Sequence, residues 1–257
     1  MKGTTGPRGR TPGVDSARRV LKILLLFSEE RPRLNVEEIT REVDISLPSA
    51  YRFLSLLREM DLVEENGDGT YALSPRILLL ARSAEKSLQV SKTLRPLVER
   101  LTQATGEAAL VIRRVGDYAT CVEISQTDNP IRLSFTPGQI MSLHRGAGPK
   151  VLLAAMGENW IRRYFDRLHP SPSQSERDAL IAEMAAITAQ GWSKSAAEVD
   201  EGVWAVAAPI KIADKVVAAV TVAGPHFRID EQRADYILRQ VIEGAAEASA
   251  ALTAGAD

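Results

Sequence analysis

A four-residue Asn-Gly-Asp-Gly segment at 66–69 is the feature of the sequence that most constrains its fold. It joins the short β-like runs 62–65 and 70–73, and Asn-Gly or Asp-Gly between two such runs is a strong signal for a β-hairpin. Apolar residues at helical spacing precede this hairpin in three short stretches. Residues 14–73 are therefore predicted to form helix, helix, short turn, helix and hairpin, which is the layout of a winged helix-turn-helix.

The third predicted helix, 47–58, has two chemically different faces. Its predicted core stripe consists of Leu47, Ala50, Leu54 and Leu57, with Phe53 at the edge. The side chains left outside are small, polar or basic: Pro48, Ser49, Tyr51, Arg52 and Ser55. Ser46 is predicted to cap this helix, and Asn35 with Glu38 to form a capping box on the helix before it.

The outer face of this helix is the predicted DNA-reading surface, because a DNA major groove admits one α-helix and a helix N-terminus can meet a phosphate. The candidate DNA-contacting residues are Ser46, Pro48, Ser49, Tyr51, Arg52, Ser55, Arg8 and Arg10. Arg52 is the candidate for a base-edge or phosphate contact. The wing tip carries Asp68 and no Lys or Arg, so the N-terminal arm with Arg8 and Arg10 is the better minor-groove probe. The alternative is a small interaction module, for instance a dimerisation domain.

Charge is unevenly distributed along the 257 residues, although the formal net charge is only −1. Residues 1–22 hold six Lys or Arg and one Asp, a net +5, and the rest of the chain carries −6. Residues 1–13 lack apolar periodicity and are predicted to be a disordered basic arm. A basic arm on an acidic body suggests a polyanionic partner, and a solvated tail is the alternative.

Several classes of protein are not expected from this sequence. Cys121 is the single cysteine, which excludes an intrachain disulfide and a Cys-based zinc cage, and no H-x-x-x-H occurs. We therefore expect no metal or other cofactor. The phosphate-loop and G-x-S-x-G motifs are absent, so we do not expect an enzyme. Neither a secretory signal nor an apolar run of ~20 residues is found, so we expect a cytoplasmic protein without a membrane partner.

The second half of the chain has a different pattern of predicted elements, with longer strands than the first half. Residues 74–104 have two helical patterns and are predicted to be a helical linker. Strands are predicted at 108–114, 118–125, 131–135, 193–198, 204–212 and 216–222, and helices within 148–190 and at 230–251. This order indicates an α+β domain over 105–254 with a mainly antiparallel sheet.

A loop of small residues in this domain leads into a predicted helix at about Pro149. Gly and Ala let a ligand approach the backbone, and a helix N-terminus favours a carboxylate. The candidate effector-binding residues here are Met141, Leu143, His144, Gly146, Ala147 and Gly148, with Trp204 as a further apolar wall. His144 fits a hydrogen-bonded loop histidine better than a ligand group, and Trp204 fits the core as well as it fits a pocket.

Five stretches of the chain carry a resemblance to one protein family. They read DSARRVLKILLLFSE, LNVEEITREVDISLPSAYRFLSLLREMDLVEE, GTYALSPRILLLA, GWSKSAAEVDEGVWAVAAPI and VVAAVTVAGPHFRI. Together they resemble the opening helix, helix-turn-helix, wing and C-terminal half of IclR-type transcriptional regulators. The sequence departs from the family at Asp61, where Gly is common, and at Pro149-Lys150, where Gly-Lys is often found.

The resemblance implies a GAF-like C-terminal domain that binds a small organic acid. It places Ala205, Thr221 and Ala223 at strand positions that contact the effector, and it places Asp200 at such a position less securely. Because Ala205 and Ala223 make the pocket apolar, an aromatic acid is expected. The resemblance also implies a homodimer or a dimer of dimers on double-stranded operator DNA, by default a repressor of a catabolic operon. The alternative is a metabolite-binding module that acts through protein partners, with the N-terminal domain used for dimerisation.

Overall fold

The structure is a computed structural model that describes residues 11–28, 30–87, 90–127, 135–168 and 170–254. The chain divides into two compact units, Met1–Leu88 and Gln89–Asp257. The predicted basic arm lies mostly outside the described residues, as do Arg8 and Arg10. Within the described ranges, no helix is both long and apolar enough to cross a membrane.

The N-terminal unit packs short helices against a small antiparallel sheet. Its elements are α1 (Asp15–Leu24), β1 (Arg33–Leu34), α2 (Val36–Val43), α3 (Leu47–Glu59), β2 (Val63–Glu65), β3 (Tyr71–Leu73) and α4 (Arg76–Ser87). The strand order is β1-β3-β2. Apolar side chains from α1, α2, α3 and all three strands form its core. The predicted winged helix-turn-helix is confirmed.

Capping and turn residues set the limits of α2 and α3. The Asn35 side chain accepts a hydrogen bond from the Glu38 N–H at 2.8 Å, and the Glu38 carboxylate accepts one from the Asn35 N–H at 2.9 Å. The predicted capping box is therefore present. Asp44 ends α2 in the left-handed region, with φ 55°. Ser46 precedes α3, but its hydroxyl donates to Ser49 Oγ at 3.0 Å, and the predicted side-chain cap is absent.

The predicted hairpin is confirmed and gains a strand that the sequence did not indicate. The Asn66 N–H donates to the Thr70 carbonyl at 2.7 Å, and Gly69 takes a φ of +78°, which favours glycine. Strand β1 lies beside β3, with Leu34 opposite Tyr71. Both side chains are buried, so this two-residue strand extends the core beyond the hairpin.

The C-terminal unit is built on one six-stranded antiparallel sheet of order β6-β5-β4-β9-β8-β7. Its strands are β4 (Ala108–Val115), β5 (Tyr118–Ser125), β6 (Ile140–Ser142), β7 (Ser193–Ala196), β8 (Val203–Ile212) and β9 (Lys215–Pro225). Its helices are α5 (Val90–Thr105), α6 (Ala147–Ala154), α7 (Glu158–Phe165), α8 (Gln174–Gln190) and α9 (Glu231–Ala254). A short 3₁₀ turn, His226–Arg228, separates β9 from α9.

Helices cover both faces of this sheet, so successive residues of a strand enter two different cores. Val111 and Val206 belong to the core beneath α5 and α9. Leu110 and Ala207 belong to the core beneath α6, α7 and α8. This alternation follows from the two-residue period of a strand. The predicted α+β class with a mainly antiparallel sheet is confirmed.

Helix α5 differs from its prediction as part of a linker. Its side chains Leu94, Leu97, Val98 and Leu101 are buried in the core shared with α9. The boundary between the two units falls after Leu88, inside the predicted linker 74–104, and α5 belongs to the C-terminal unit. Of the strand predicted at 131–135, all but Phe135 lies outside the described residues, and the short strand β6 was not predicted.

Candidate DNA-binding face and effector site

The outer face of α3 is exposed as the sequence predicts. Ala50, Leu54 and Leu57 are buried in the N-terminal core. Leu47, predicted to share their stripe, is 46% exposed, because it is the first residue of the helix and lies outside that core. The exposed members of the predicted DNA-contacting set are Ser46, Pro48, Tyr51, Arg52 and Ser55, with Ser49 half-buried among them.

Arg52 is the basic residue of this face, and no acidic partner pairs with it among the described residues. Its guanidinium donates to Ser49 Oγ at 3.4 Å. Arg58, near the end of the same helix, instead forms an ion pair with Glu65 of the wing. An exposed guanidinium without a carboxylate keeps its charge and its donors available for a phosphate or a base edge.

The wing tip carries an acidic side chain where α3 carries a basic one. Asp68 accepts hydrogen bonds from the Thr70 N–H at 3.0 Å and from the Thr70 hydroxyl at 2.6 Å. These bonds hold the pKa of Asp68 below its usual value, since they favour the charged carboxylate. Arg33 lies 3.8 Å from the same carboxylate. The tip is therefore anionic and partly neutralised, as expected of a poor minor-groove probe.

Helix α6 is buried along its whole length and sits close to the sheet. A Cβ at Gly148 would lie 2.4 Å from Thr221 Oγ1 and 2.6 Å from Ile112 Cδ1. The sequence predicts that this glycine lets a ligand approach the backbone. In the structure it lets the helix approach β9 and β4, since any side chain would collide with both residues.

The N-terminus of α6 is largely occupied by groups of the protein itself. The Gly146 N–H donates to Glu198 Oε2 at 2.9 Å, and the Ala147 N–H donates to Ser195 Oγ at 3.1 Å. Pro149 has no N–H to offer. The free amides predicted for an effector carboxylate are thus mostly taken, and one of them already binds a carboxylate.

Lys150 is the charged residue of this helix and is only 1% exposed. Its ammonium donates to Glu183 Oε1 at 2.5 Å, to Glu198 Oε1 at 2.6 Å and to the Lys194 carbonyl at 3.4 Å. All three donors of the ammonium are used, which a buried charge requires. Sequence reasoning missed this cluster, although a single Lys in the apolar stretch AGPKVLLA was a signal for a buried partner.

The predicted strand residues lie together on the α6 side of the sheet. Ala205 and Ala223 are cross-strand neighbours and share the core beneath α6 with Leu143 and Ala147. Thr221, two residues from Ala223 on the same strand, is 3% exposed, and its Oγ1 has no hydrogen-bond partner among the described residues. Met141 is partly buried against the same core.

Two predicted effector residues lie apart from this group. Trp204 is next to Ala205 in sequence and therefore points to the opposite face, where it packs in the core beneath α5 and α9. We therefore remove it from the candidate site. Asp200 is exposed in the loop between β7 and β8, where its carbonyl accepts a hydrogen bond from the Val203 N–H at 3.2 Å.

His144 is held by an aromatic neighbour, as the hydrogen-bonded interpretation predicted. Its Nδ1 lies 2.8 Å from the Tyr164 hydroxyl, which also accepts from the Leu143 N–H at 3.2 Å. Burial lowers the pKa of His144, and Arg145 adds to this effect. The ring also lines an open cavity of about 540 Å³ whose other walls are Leu168, Pro170, Ser171, Pro172, Glu176, Ala179 and Leu180. The sequence did not indicate this cavity.

No cluster of His, Cys, Asp or Glu within the described residues could hold a metal ion. Cys121 lies in the core beneath α6, and burial raises the pKa of its thiol to about 11. It therefore stays a thiol at neutral pH and behaves as a small core residue.

Comparison with known families decides the class of the protein. The profile of the IclR helix-turn-helix domain matches residues 16–67, and that of the bacterial transcriptional regulator IclR C-terminal domain matches residues 83–250. The chain belongs to the IclR family of bacterial transcriptional regulators. IclR proteins are DNA-binding regulators and not enzymes. The N-terminal unit is a DNA-binding domain, because it contains the part of the chain that matches the helix-turn-helix profile.

Known IclR-type proteins resemble the chain over nearly its full length. It is 26% identical to the HTH-type transcriptional regulator KipR of Bacillus subtilis, over 89% of this chain and 93% of KipR. A solved IclR-type regulator from a Silicibacter species has a TM-score of 0.83 at 21% identity, over 93% and 96% of the two chains. An IclR homolog from Microbacterium hydrocarbonoxydans, solved with 4-hydroxybenzoate, has a TM-score of 0.73 at 19% identity, over 92% and 99%.

Proposed function

We propose that this IclR-family regulator is a homo-oligomeric repressor of a catabolic operon that an aromatic organic acid releases from its operator. It would act in the cytoplasm, where operator DNA is found. The observation that carries the DNA-reading part is the outer face of α3, where Arg52 is exposed beside small polar side chains and has no carboxylate partner in the described part of the chain.

The test of this face is a pair of variants on one helix. Arg52→Ala removes the unpaired guanidinium, and Arg58→Ala removes one that is already paired with Glu65. Each substitution removes one positive charge from the chain. We expect Arg52→Ala to lower affinity for the chain's own upstream DNA by about 1–3 kcal/mol if Arg52 contacts a base edge. Arg58→Ala should change it far less. Equal losses in both variants would contradict a specific role for Arg52.

Salt dependence separates base reading from simple charge attraction. Binding measured by fluorescence anisotropy at two salt concentrations should weaken steeply with salt, because phosphate contacts release counterions. Arg52→Ala should reduce discrimination between the operator and unrelated DNA if it reads a base, and weaken both alike if it contacts phosphate. Absence of binding to either DNA at low salt would contradict the repressor proposal.

Apolar side chains exposed on α1 support a second copy of the chain as a partner. Leu21 is 57% exposed and Leu25 is 81% exposed, and they are four residues apart on one face of the helix end. Two-fold pairing of helix-turn-helix units is what places two reading helices about one turn of DNA apart. Leu21→Ser with Leu25→Ser should therefore weaken self-association in sedimentation experiments. An unchanged oligomeric state would contradict this face as the dimer surface.

The small apolar side chains of Ala205 and Ala223, at the positions that the family resemblance assigns to the effector, support an aromatic acid rather than a two-carbon acid as the effector. The 4-hydroxybenzoate bound by the Microbacterium homolog is of that class. Aromatic and short acids can be compared by their ability to release operator DNA. Release by a two-carbon acid in preference to every aromatic acid tested would contradict this choice.

A further inference from the structure

The turn at the wing tip, residues 66–69, contains a dipeptide that is able to react with itself. Asn66 precedes Gly67, whereas the other three asparagines of the sequence, Asn35, Asn129 and Asn159, precede Val, Pro and Trp. The backbone nitrogen that follows an asparagine can attack the side-chain amide carbon. Glycine obstructs this attack least, because it has no side chain. The dipeptide that specifies the turn is therefore also the asparagine pair of this chain best suited to self-modification.

The structure leaves Gly67 open to this reaction. Gly67 is exposed, and a Cβ built on it would meet no atom within 4 Å. Its N–H donates no hydrogen bond to any residue that the structure describes. No bond of this N–H to the described part of the chain has to break before the nitrogen reacts, and no neighbouring atom shields it from solvent.

The Asp-Gly pair of the same turn is in different surroundings. The Gly69 N–H donates to the Asn66 carbonyl at 3.0 Å, so this nitrogen is already engaged. The Asp68 carboxylate accepts the Thr70 N–H at 3.0 Å and the Thr70 hydroxyl at 2.6 Å. These bonds favour the charged form of the carboxylate, which is a poor target for a nucleophile. The structure therefore distinguishes two pairs that look alike in the sequence.

The amide of Asn66 is also a donor that the wing tip uses. Its Nδ2 donates to Thr70 Oγ1 at 3.0 Å, and the Thr70 hydroxyl passes its own proton to Asp68 at 2.6 Å. A carboxylate at position 66 has no proton to donate, so it would face the lone pairs of the Thr70 oxygen. It would also place a second negative charge beside Asp68, and like charges repel. Loss of the amide would therefore loosen the turn and make it more anionic.

We propose that Asn66 is a site of spontaneous deamidation that alters the wing. The Gly67 nitrogen forms a bond to Asn66 Cγ, the bond from Cγ to Nδ2 breaks, and ammonia leaves with the proton given up by the Gly67 nitrogen. Water then opens the resulting succinimide at one of its two carbonyls, which gives aspartate or isoaspartate without any oxidant or reductant. The reaction is independent of the proposed function, whereas its effect on operator binding rests on that function.

The test of the reaction follows the full chain over time in mildly alkaline buffer. Trypsin cleaves after Arg58 and Arg76, and the peptide 59–76 holds Asn66 as its single asparagine. Mass spectrometry detects the exchange of the amide for an acid, and chromatography separates the aspartate and isoaspartate forms. Gly67→Ala is the matched variant, because the site has room for a methyl group and its φ is not in the left-handed region. Circular dichroism melting checks that each variant is folded.

We expect the unaltered chain to accumulate both products at Asn66 and Gly67→Ala to do so about tenfold more slowly, because its methyl group obstructs the nitrogen. Thr70→Val should react faster than the unaltered chain, since it frees the Asn66 amide from its partner. Equal rates in the unaltered chain and Gly67→Ala would overturn the proposal. So would an unaltered chain that stays intact while the isolated peptide 59–76 is converted.

The effect on DNA is measured with homogeneous variants by fluorescence anisotropy. Asn66→Asp reproduces one product, and Asn66→Gln is its neutral counterpart. We expect Asn66→Asp to bind operator DNA about two- to fivefold more weakly than Asn66→Gln at low salt, with a smaller difference at high salt, because the added charge repels phosphates. Equal binding by the two variants would overturn the effect on the wing. Absence of DNA binding by the fresh, unaltered chain would overturn the proposed function and leave the reaction at Asn66 in place.

Discussion

Helices α3 and α6 each place a basic side chain beside a proposed binding surface, but in opposite surroundings. Arg52 on α3 is exposed and has no carboxylate partner among the described residues, whereas Lys150 on α6 is buried between Glu183 and Glu198. An exposed cation remains available to an outside partner. A buried cation is part of the fold, and an outside anion reaches it only by replacing a group that already binds it.

Removal of both carboxylates around Lys150 should produce the largest effect. Glu183→Gln combined with Glu198→Gln leaves the buried ammonium without a counter-charge, so we expect the free energy of unfolding to fall by about 3–5 kcal/mol. Urea denaturation at neutral pH measures this free energy of unfolding. Each single variant keeps one carboxylate, so the double loss should exceed the sum of the two single losses. Simple additivity would contradict the idea that one carboxylate is enough.

A methyl group at Gly148 tests how closely α6 packs. Gly148→Ala should lower the free energy of unfolding by about 1–3 kcal/mol, because its Cβ would collide with Thr221 and Ile112. A small substitution on the exposed face of α3, Ser55→Ala, should change the free energy of unfolding by no more than about 0.5 kcal/mol. Addition of Thr221→Ala should recover part of the loss by removing the nearer atom. Similar losses at Gly148 and Ser55 would remove the contrast between the two helices.

The pH dependence at His144 should be a smaller effect. Burial lowers the pKa of His144 in the folded chain, so the unfolded chain takes up a proton first as the pH falls. The stability contribution is complete above the unfolded pKa of about 6.5 and is lost as the pH drops below it. Urea unfolding at neutral pH and near pH 5.5 should show a steeper loss for the unaltered chain than for His144→Gln. Equal slopes would show that His144 does not titrate differently on folding.

The smallest expected change in stability belongs to Arg52. Because Arg52 is exposed and its only described contact is Ser49, Arg52→Ala should alter the free energy of unfolding by no more than about 0.5 kcal/mol. The same variant should lose operator affinity. A large stability loss measured by urea denaturation would make Arg52 part of the fold, and its effect on DNA could no longer be assigned to contact.

Local signals in the sequence predicted the N-terminal unit well. The capping box at Asn35 and the turn that ends at Gly69 depend on residues a few positions apart, so their chemistry is visible in the sequence. Ser46 shows the limit of such signals, because a serine at a cap position can bond another side chain instead. Strand β1 was missed because its partner Tyr71 is far along the chain.

The sequence predicted only in part which candidate effector residues lie together, because the contacts between them join distant segments. Ala205, Thr221 and Ala223 lie on one sheet face, and their role toward an effector stays a prediction, whereas Trp204 lies on the other face because side chains alternate along a strand. Glu198 could not be predicted as the group that occupies the α6 terminus, because it lies far along the chain from Gly146.

The sequence by itself determined the winged helix-turn-helix, the outer face of α3 and the family, because periodicity, caps and turn residues act over a few positions and long motifs are specific. Only the tertiary structure decided that α5 belongs to the C-terminal core and that Lys150 is enclosed by two carboxylates. Burial and ion pairing depend on which distant segments meet in space. For that reason a basic residue could be recognised as available on α3, and a basic residue on α6 could not be recognised as already paired.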